Sequence, residues 1–438
     1  MVRTWLCAAA LAVAVPPVWA QDAEVEKLRE EVRRLQERVQ AMDKPRATGE
    51  NAFNPAVSLI LQGTAARSSQ DPSDYQITGF APSGGEVGPP PRSFSLGESE
   101  LVISANIDPY FSGRMTLALT PENEAEVEEA YFQTLMLGGG FTLKGGRFLS
   151  GIGYQNETHQ HAWDFQDAPL AYSAFLGGRY NDDGVQLRWL APTDLFLEFG
   201  AEVGRGRAFP SAEQSKNGVG AWSLFGHVGG DIGASTAWRA GLSYLYVEPE
   251  NRAFEDADSL GNPVTQSFSG KSKLWVADFV LKWAPEGNAT VTNFKLQGEY
   301  FRRDESGTLS YDDSAQSAPQ FGAPFDGAYS SRQSGWYLQA VYQFMPTWRA
   351  GLRFDQLDHG TVSNGIVTGG AGPAAADFPL LGTAHDPSRT SAMVDWSPSE
   401  FSRIRLQVAE DDSRAGVTDR QVLVQYIYSL GAHGAHKF

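Results

Sequence analysis

One cysteine, Cys7, is the whole thiol content of a 438-residue chain. It stands so near the start that no disulfide can staple the body of the protein. No stretch approaches the ~18 consecutive apolar residues that a membrane-crossing helix needs. Histidine is scarce, with 7 copies, and 35 Lys and Arg are outweighed by 52 Asp and Glu. The formal net charge of −17 argues against nucleic acid as a partner and leaves small solutes, ions or an envelope surface. Nucleophile elbows, phosphate-cradling loops and zinc-protease helices are missing as well, so no enzyme is expected.

What is present begins with the first twenty residues. Arg3 is a small basic start, Trp5–Val15 is a short apolar run, and Val18-Trp19-Ala20 offers a cleavage site before Gln21. That order reads as a secretory signal peptide over 1–20, because the run is too short to span a bilayer. Residues 21–44 then repeat apolar positions at alternating spacings of three and four: Val25, Leu28, Val32, Leu35, Val39 and Met42. This is the seam of a short α-helical coiled coil, expected in the periplasm and stopped by Pro45. The seam predicts a homo-oligomer. Its number stays open between dimers, toward which Val and Leu at these positions lean, and trimers. A linker over 45–52 follows.

From 53 to 438 the period changes to two. In Trp336–Phe344 the residues Trp336, Leu338, Ala340, Tyr342 and Phe344 share one face. Similar faces carry Trp238, Leu242 and Tyr246, and Trp275, Phe279 and Trp283, with Arg239, Ser243, Asp278 and Lys282 between them. Lipid outside and water inside demand this alternation of a transmembrane β-barrel. The chain is also rich in residues that sit at headgroup level, with 11 Trp and 15 Tyr. About sixteen antiparallel strands are expected, joined alternately by short turns such as Met345–Thr347 and by long loops such as 67–94, 150–182, 249–272, 304–333 and 358–389. The apolar face of Val422, Val424, Tyr426, Tyr428 and Leu430, and the final Phe438, fit a last strand read by the barrel-assembly machinery.

Coil, barrel and terminal Phe together resemble the phosphate-selective porin O/P-like group of Gram-negative outer-membrane porins. Ser150-Gly151-Ile152-Gly153-Tyr154, the segment Glu157–Phe165 and the ending Leu430–Phe438 also look like barrels labelled zinc-regulated or TonB-dependent outer-membrane receptors. The resemblance implies an outer-membrane channel in contact with lipid. A TonB-dependent transporter, however, carries a folded plug ahead of about 22 strands, and neither fits in this length.

Function must then sit in the lumen and loops. On the inward parity the strands carry Arg114, Arg188, Arg239, Arg349, Arg353, Arg403 and Arg405, and on the same parity Glu100, Glu126, Glu128, Glu198, Glu202, Glu299, Asp355 and Asp395. Charges of both signs across one narrow pore set up a transverse field. The loop 150–182 is expected to fold inward as a constriction, setting Glu157, His159, His161, Asp164 and Asp167 as an acidic edge opposite the arginines. Trp163, Phe165, Tyr172 and Phe175 would pack it against the wall. His159 and His161, two apart with Glu157, suit a divalent metal such as zinc; His433 and His436 point to opposite faces of the last strand. The first reading is passive diffusion of small hydrophilic solutes or ions with no cofactor. Alternatives are uptake of zinc or a similar cation, and a structural barrel whose coil tethers periplasmic partners.

Overall fold

The computed structural model describes residues 55–431 apart from 85–86, 121–123, 213–216, 317 and 368–371. The signal segment 1–20, the coil over 21–44, the linker 45–52, and His433, His436 and Phe438 lie outside the described residues. The fold is that of the second of two compact units, Pro55–Phe438.

Among the described residues eighteen strands form one sheet. The first six are β1 (Ala56–Ser68), β2 (Ser93–Leu96), β3 (Ser99–Asn106), β4 (Phe111–Leu119), β5 (Ala125–Thr134) and β6 (Phe141–Leu149). The middle six are β7 (Asn181–Leu190), β8 (Phe196–Gly204), β9 (Ala221–Ile232), β10 (Thr236–Val247), β11 (Arg252–Ala257) and β12 (Pro263–Trp283). The last six are β13 (Asn293–Asp312), β14 (Pro324–Met345), β15 (Trp348–Asn364), β16 (Ser388–Ser399), β17 (Ser402–Arg414) and β18 (Val417–Gly431). The short β2 and β11 extend the rim beside β1 and β12. The other sixteen pair antiparallel in order, and the sheet closes where β1 meets β18, with Ser58 opposite Gly431 and Ser68 opposite Gln421. Closure removes the open edge of the sixteen-stranded girdle, where a bilayer would penalise each unpaired backbone group by several kcal/mol.

The two faces follow from the period of two. On β14, Trp336, Leu338, Tyr342 and Phe344 are exposed while Tyr337, Gln339 and Val341 are buried in the lumen. On β18, Val422, Val424, Tyr426, Tyr428 and Leu430 point out, whereas Leu423, Gln425 and Ile427 point in. Outward aromatics meet across strands, as in Tyr244 with Trp275 at 4.7 Å and Trp348 stacked on Trp396 at 6.1 Å. An exterior of this kind is stable only against lipid, since large exposed apolar patches are rare on soluble monomers. Among the described residues no helix is long and apolar enough to cross a membrane.

Two features depart from the sequence expectation. The segments expected as long loops at 249–272, 304–333 and 358–389 are partly strand, because β12, β13, β14 and β15 run on for 21, 20, 22 and 17 residues. Beyond the lipid these strands need no apolar outer face, so Thr308 and Ser310, which alternate with the buried Leu309 and Tyr311, carry no lipid signature. The second departure is a bulge in β5, where Thr116 pairs with Glu129 but Leu117 with Val127. The extra residue switches parity, so the adjacent Glu128 and Glu129 are both buried and Glu126, expected to face inward with Glu128, is exposed.

Candidate functional site: the lumen and its inward loop

The chain from Ser150 to Tyr180, between β6 and β7, lies inside the barrel. Ser150 enters on β8: its hydroxyl and the Gly151 N–H both donate to Glu202, the latter over 2.8 Å. The backbone then crosses to the far wall, where Tyr154 and Gln155 donate their N–H groups to Glu299 over 3.1 and 2.9 Å. The Tyr172 hydroxyl reaches the same carboxylate at 2.9 Å and the Tyr337 hydroxyl at 2.7 Å. A short helix, Leu170–Leu176, is buried along its whole length. Pro169 precedes it and Gly177 ends it at φ 66°, a left-handed cap that favours glycine. Phe175 stacks on Phe301 at 6.0 Å, and Tyr172 meets the same ring edge-on at 5.0 Å. Trp163 and Phe165 are buried too, as the packing role read from sequence required.

The charges hold the loop from both sides. Toward β13–β17, Asp164 pairs with Lys295 and, at 3.1 Å, with Arg349. Asp167 lies 2.8 Å from Arg353 and 2.7 Å from Arg389, and accepts from Gln407 at 2.6 Å. Arg405 donates to the Trp163 carbonyl at 2.7 Å, and Arg389 to that of Ala168 at 2.5 Å. Toward β3–β8, Glu157 pairs with Arg188. His159 Nδ1 is 3.1 Å from Glu128 and its Nε2 is 3.0 Å from Glu129, while His161 Nδ1 is 2.8 Å from Glu100. Arg179 completes this side against Glu98 and Glu128.

This geometry corrects the expected acidic edge. Asp164 and Asp167 do not face the arginines across open water; they touch Arg349, Arg353 and Arg389 directly, so the charges neutralise each other. Arg353, Arg405 and Glu299, expected to line the pore, are almost fully buried beneath the loop and anchor it. Arg114, Arg188, Arg239 and Glu198 instead line a cavity of ≈ 670 Å³ that reaches the short-turn residues Asp194 and Asp231. A second cavity of ≈ 660 Å³ lies beside it, lined by Arg349, Arg403, Lys282 and Lys295 and reaching the turns at Gly233 and Gly287. Tyr154 and Thr158 border both.

Arg239, Lys282, Lys295, Arg349 and Arg403 follow one another on β10, β12, β13, β15 and β17. The facing wall of β4–β8 carries both signs, with Glu129 and Glu198 beside Arg114, Lys144 and Arg188. Sequence reasoning missed Glu129, hidden by the bulge, and gave no role to Lys282 and Lys295, whose inward parity was visible. Arg403 is distinctive: its Nε and Nη1 make no hydrogen bond among the described residues, and its nearest carboxylate, Asp395, is 3.9 Å away.

The metal reading gains no support. Donor atoms of Glu100, Glu128 and His159 do lie within 4.8 Å of one another. Both nitrogens of His159 are nevertheless engaged by carboxylates, Arg179 occupies Glu128, and Glu157 turns away to Arg188 instead of joining the histidines. The cluster is an ion-paired clamp between loop and wall. Burial alone would lower the pKa of His159, but Glu128 and Glu100 outweigh it and raise the value well above that of a free imidazole. A raised pKa contributes stability fully below the ordinary value of about 6.5 and loses it as pH climbs through the raised one. The melting temperature of the barrel should therefore fall on the alkaline side of neutrality, and His159→Gln should flatten that limb. An alkaline limb of equal depth in the variant would show that His159 does not carry it.

No family model matches this sequence. The chain is 30% identical over 421 residues to an uncharacterized protein of Aquifex aeolicus (strain VF5), covering 89% of this chain and 81% of that one. In structure it is similar to a loop-deletion form of OmpT, an outer membrane protein of Vibrio cholerae, with a TM-score of 0.51, 10% identity, and coverage of 86% and 99% of the two chains. It is likewise similar to the outer membrane channel DcaP of Acinetobacter baumannii, with a TM-score of 0.50, 10% identity, and coverage of 86% and 97%. These likenesses single out no phosphate-selective group. The chain belongs to the family of the Aquifex aeolicus protein, and its fold is the sixteen-stranded barrel of the outer-membrane porins.

Proposed function

We propose that the protein is an outer-membrane channel for passive diffusion of small hydrophilic solutes or ions, narrowed by the loop 150–182. One observation carries this reading: a closed barrel, apolar outside, surrounds polar cavities bounded by a loop that ion pairs fix across the lumen. Charges of both signs facing a row of cations favour solutes that can orient in a transverse field. The long loops then face the cell exterior and the short turns the periplasm. Planar-bilayer recording tests the proposal, because purified protein should show discrete conductance steps. A folded barrel without them would favour a purely structural role.

Within this reading Arg403 sets selectivity, because it lines the second cavity and Asp395 is 3.9 Å away. Arg403→Ala should move the reversal potential toward cation preference. The shift should shrink at 1 M salt, where the Debye length is only about 3 Å. An unchanged potential at low salt would remove Arg403 from the permeation path. The mutation Arg405→Ala is a different experiment, since that guanidinium holds the Trp163 carbonyl and its loss loosens the loop.

The N-terminal seam adds a homo-oligomer to the proposal. A charge at Leu35→Asp opposes burial of a side chain contributing on the order of 1.5–3 kcal/mol. Light scattering in detergent should show a smaller assembly, and unchanged mass would mean the helix does not associate.

A further inference from the structure

The long-loop half of the lumen holds an apolar core that a water-filled passage does not need. Ile77, Phe80, Phe175, Phe301 and Leu357 belong to one buried cluster, in which residues of the loop 69–92 lie on the inward helix. Phe80 meets Phe175 edge-on at 5.8 Å. The same segment reaches from β1 to other parts of the rim. Gly79 donates its N–H to the Leu380 carbonyl over 2.7 Å and accepts from the Gln333 side chain on β14 over 2.7 Å, while Thr78 donates to the Ser413 carbonyl over 3.0 Å.

Resting on the channel reading above, we propose that Ile77–Ala81 is a strap that closes the long-loop mouth and must lift before solute can pass. Two kinds of attachment distinguish it from the constriction beneath. The loop 150–180 is tied to both walls by buried ion pairs, and breaking such pairs is strongly destabilising. The strap contains no charged residue from Gln76 to Gly84; apolar contacts and a few hydrogen bonds hold it, so lifting it strands no buried charge. Beside it lies a cavity of ≈ 280 Å³ bordered by Tyr75, Phe80, Ala174 and Leu380, which leaves the Phe80 ring room to move. The fit is nevertheless specific. Gly79 has φ +91°, and a Cβ there would stand 2.7 Å from His359 Cδ2 and 3.2 Å from the Thr383 carbonyl.

Gly79→Val and Phe80→Asp should each unseat the strap, while Phe80→Leu should keep it. The expected result is that both unseating variants at least double the mean conductance or open fraction in bilayers, with Phe80→Leu unchanged. A second readout reports the strap itself. Ala174→Cys, covered by the strap, should react with an impermeant maleimide several times faster in the unseated proteins than alone, with the parent giving the Cys7 background. Faster labelling without higher conductance overturns the gate, since the strap then lifts without opening a path. Equal labelling and equal conductance in folded variants overturn it also. If no protein of the set conducts at all, the channel reading falls and takes the strap with it.

Discussion

Deleting Glu157–Asp167 should raise single-channel conductance several-fold and lower the stability of the barrel in the same protein. The conductance follows from position, because the removed residues border both cavities and cross the lumen from the β3–β8 wall to the β13–β17 wall. The cost follows from partners. Asp164 and Asp167 neutralise Lys295, Arg349, Arg353 and Arg389, and cations left buried without them are expensive. Conductance and unfolding temperature should therefore move in opposite directions. A deletion that destabilises yet leaves conductance unchanged would place the loop outside the permeation path.

Asp167→Ala should be the most destabilising single substitution in the lumen, by about 3 kcal/mol. Removing one partner of a buried pair typically costs about 3–5 kcal/mol. The lower end applies because Arg353 keeps Asp355 at 2.9 Å and Arg389 keeps Asp355 at 3.6 Å. Burial alone would raise the pKa of Asp167, but Arg353 and Arg389 outweigh it and hold the carboxyl at about 2. With the pKa depressed, this stability is present above the ordinary carboxylate value and lost as pH falls through about 2. Denaturant unfolding at neutral pH should show the full loss, and the gap between parent and variant should narrow in strong acid. A loss below about 1 kcal/mol, the scale of an exposed pair, would mean that water reaches these arginines freely.

Sixteen strands were legible because lipid imposes a signal on sequence: every second residue must be apolar for as long as the strand is in the bilayer. The signal ends where the bilayer ends, which is why the extensions of β12–β15 read as loops. The bulge at Glu128 defeated parity in the same way, since one inserted residue reverses every assignment behind it. For Arg353 and Arg405 the face was right and the environment was not. Parity places a side chain in the lumen, but whether it meets water or a covering loop depends on contacts between residues more than a hundred positions apart. The strap had left a trace, because Ile77 and Phe80 are apolar residues in a segment otherwise fit for a surface loop. The sequence could not say where they packed.

The unequal strands give the mouth a direction. At about 3.3 Å per residue, the 8 to 10 residues of β3–β8 make a wall about 30 Å long, and the 20 to 22 residues of β12–β14 one about 70 Å long. The rim therefore slopes, and its opening tilts to one side like the spout of a jug. On the proposed channel reading, the low lip at β3–β8 is the shorter approach to the lumen once the strap has lifted. A large ligand such as an antibody would find the tall side first, on polar strand surface that can vary without touching the pore.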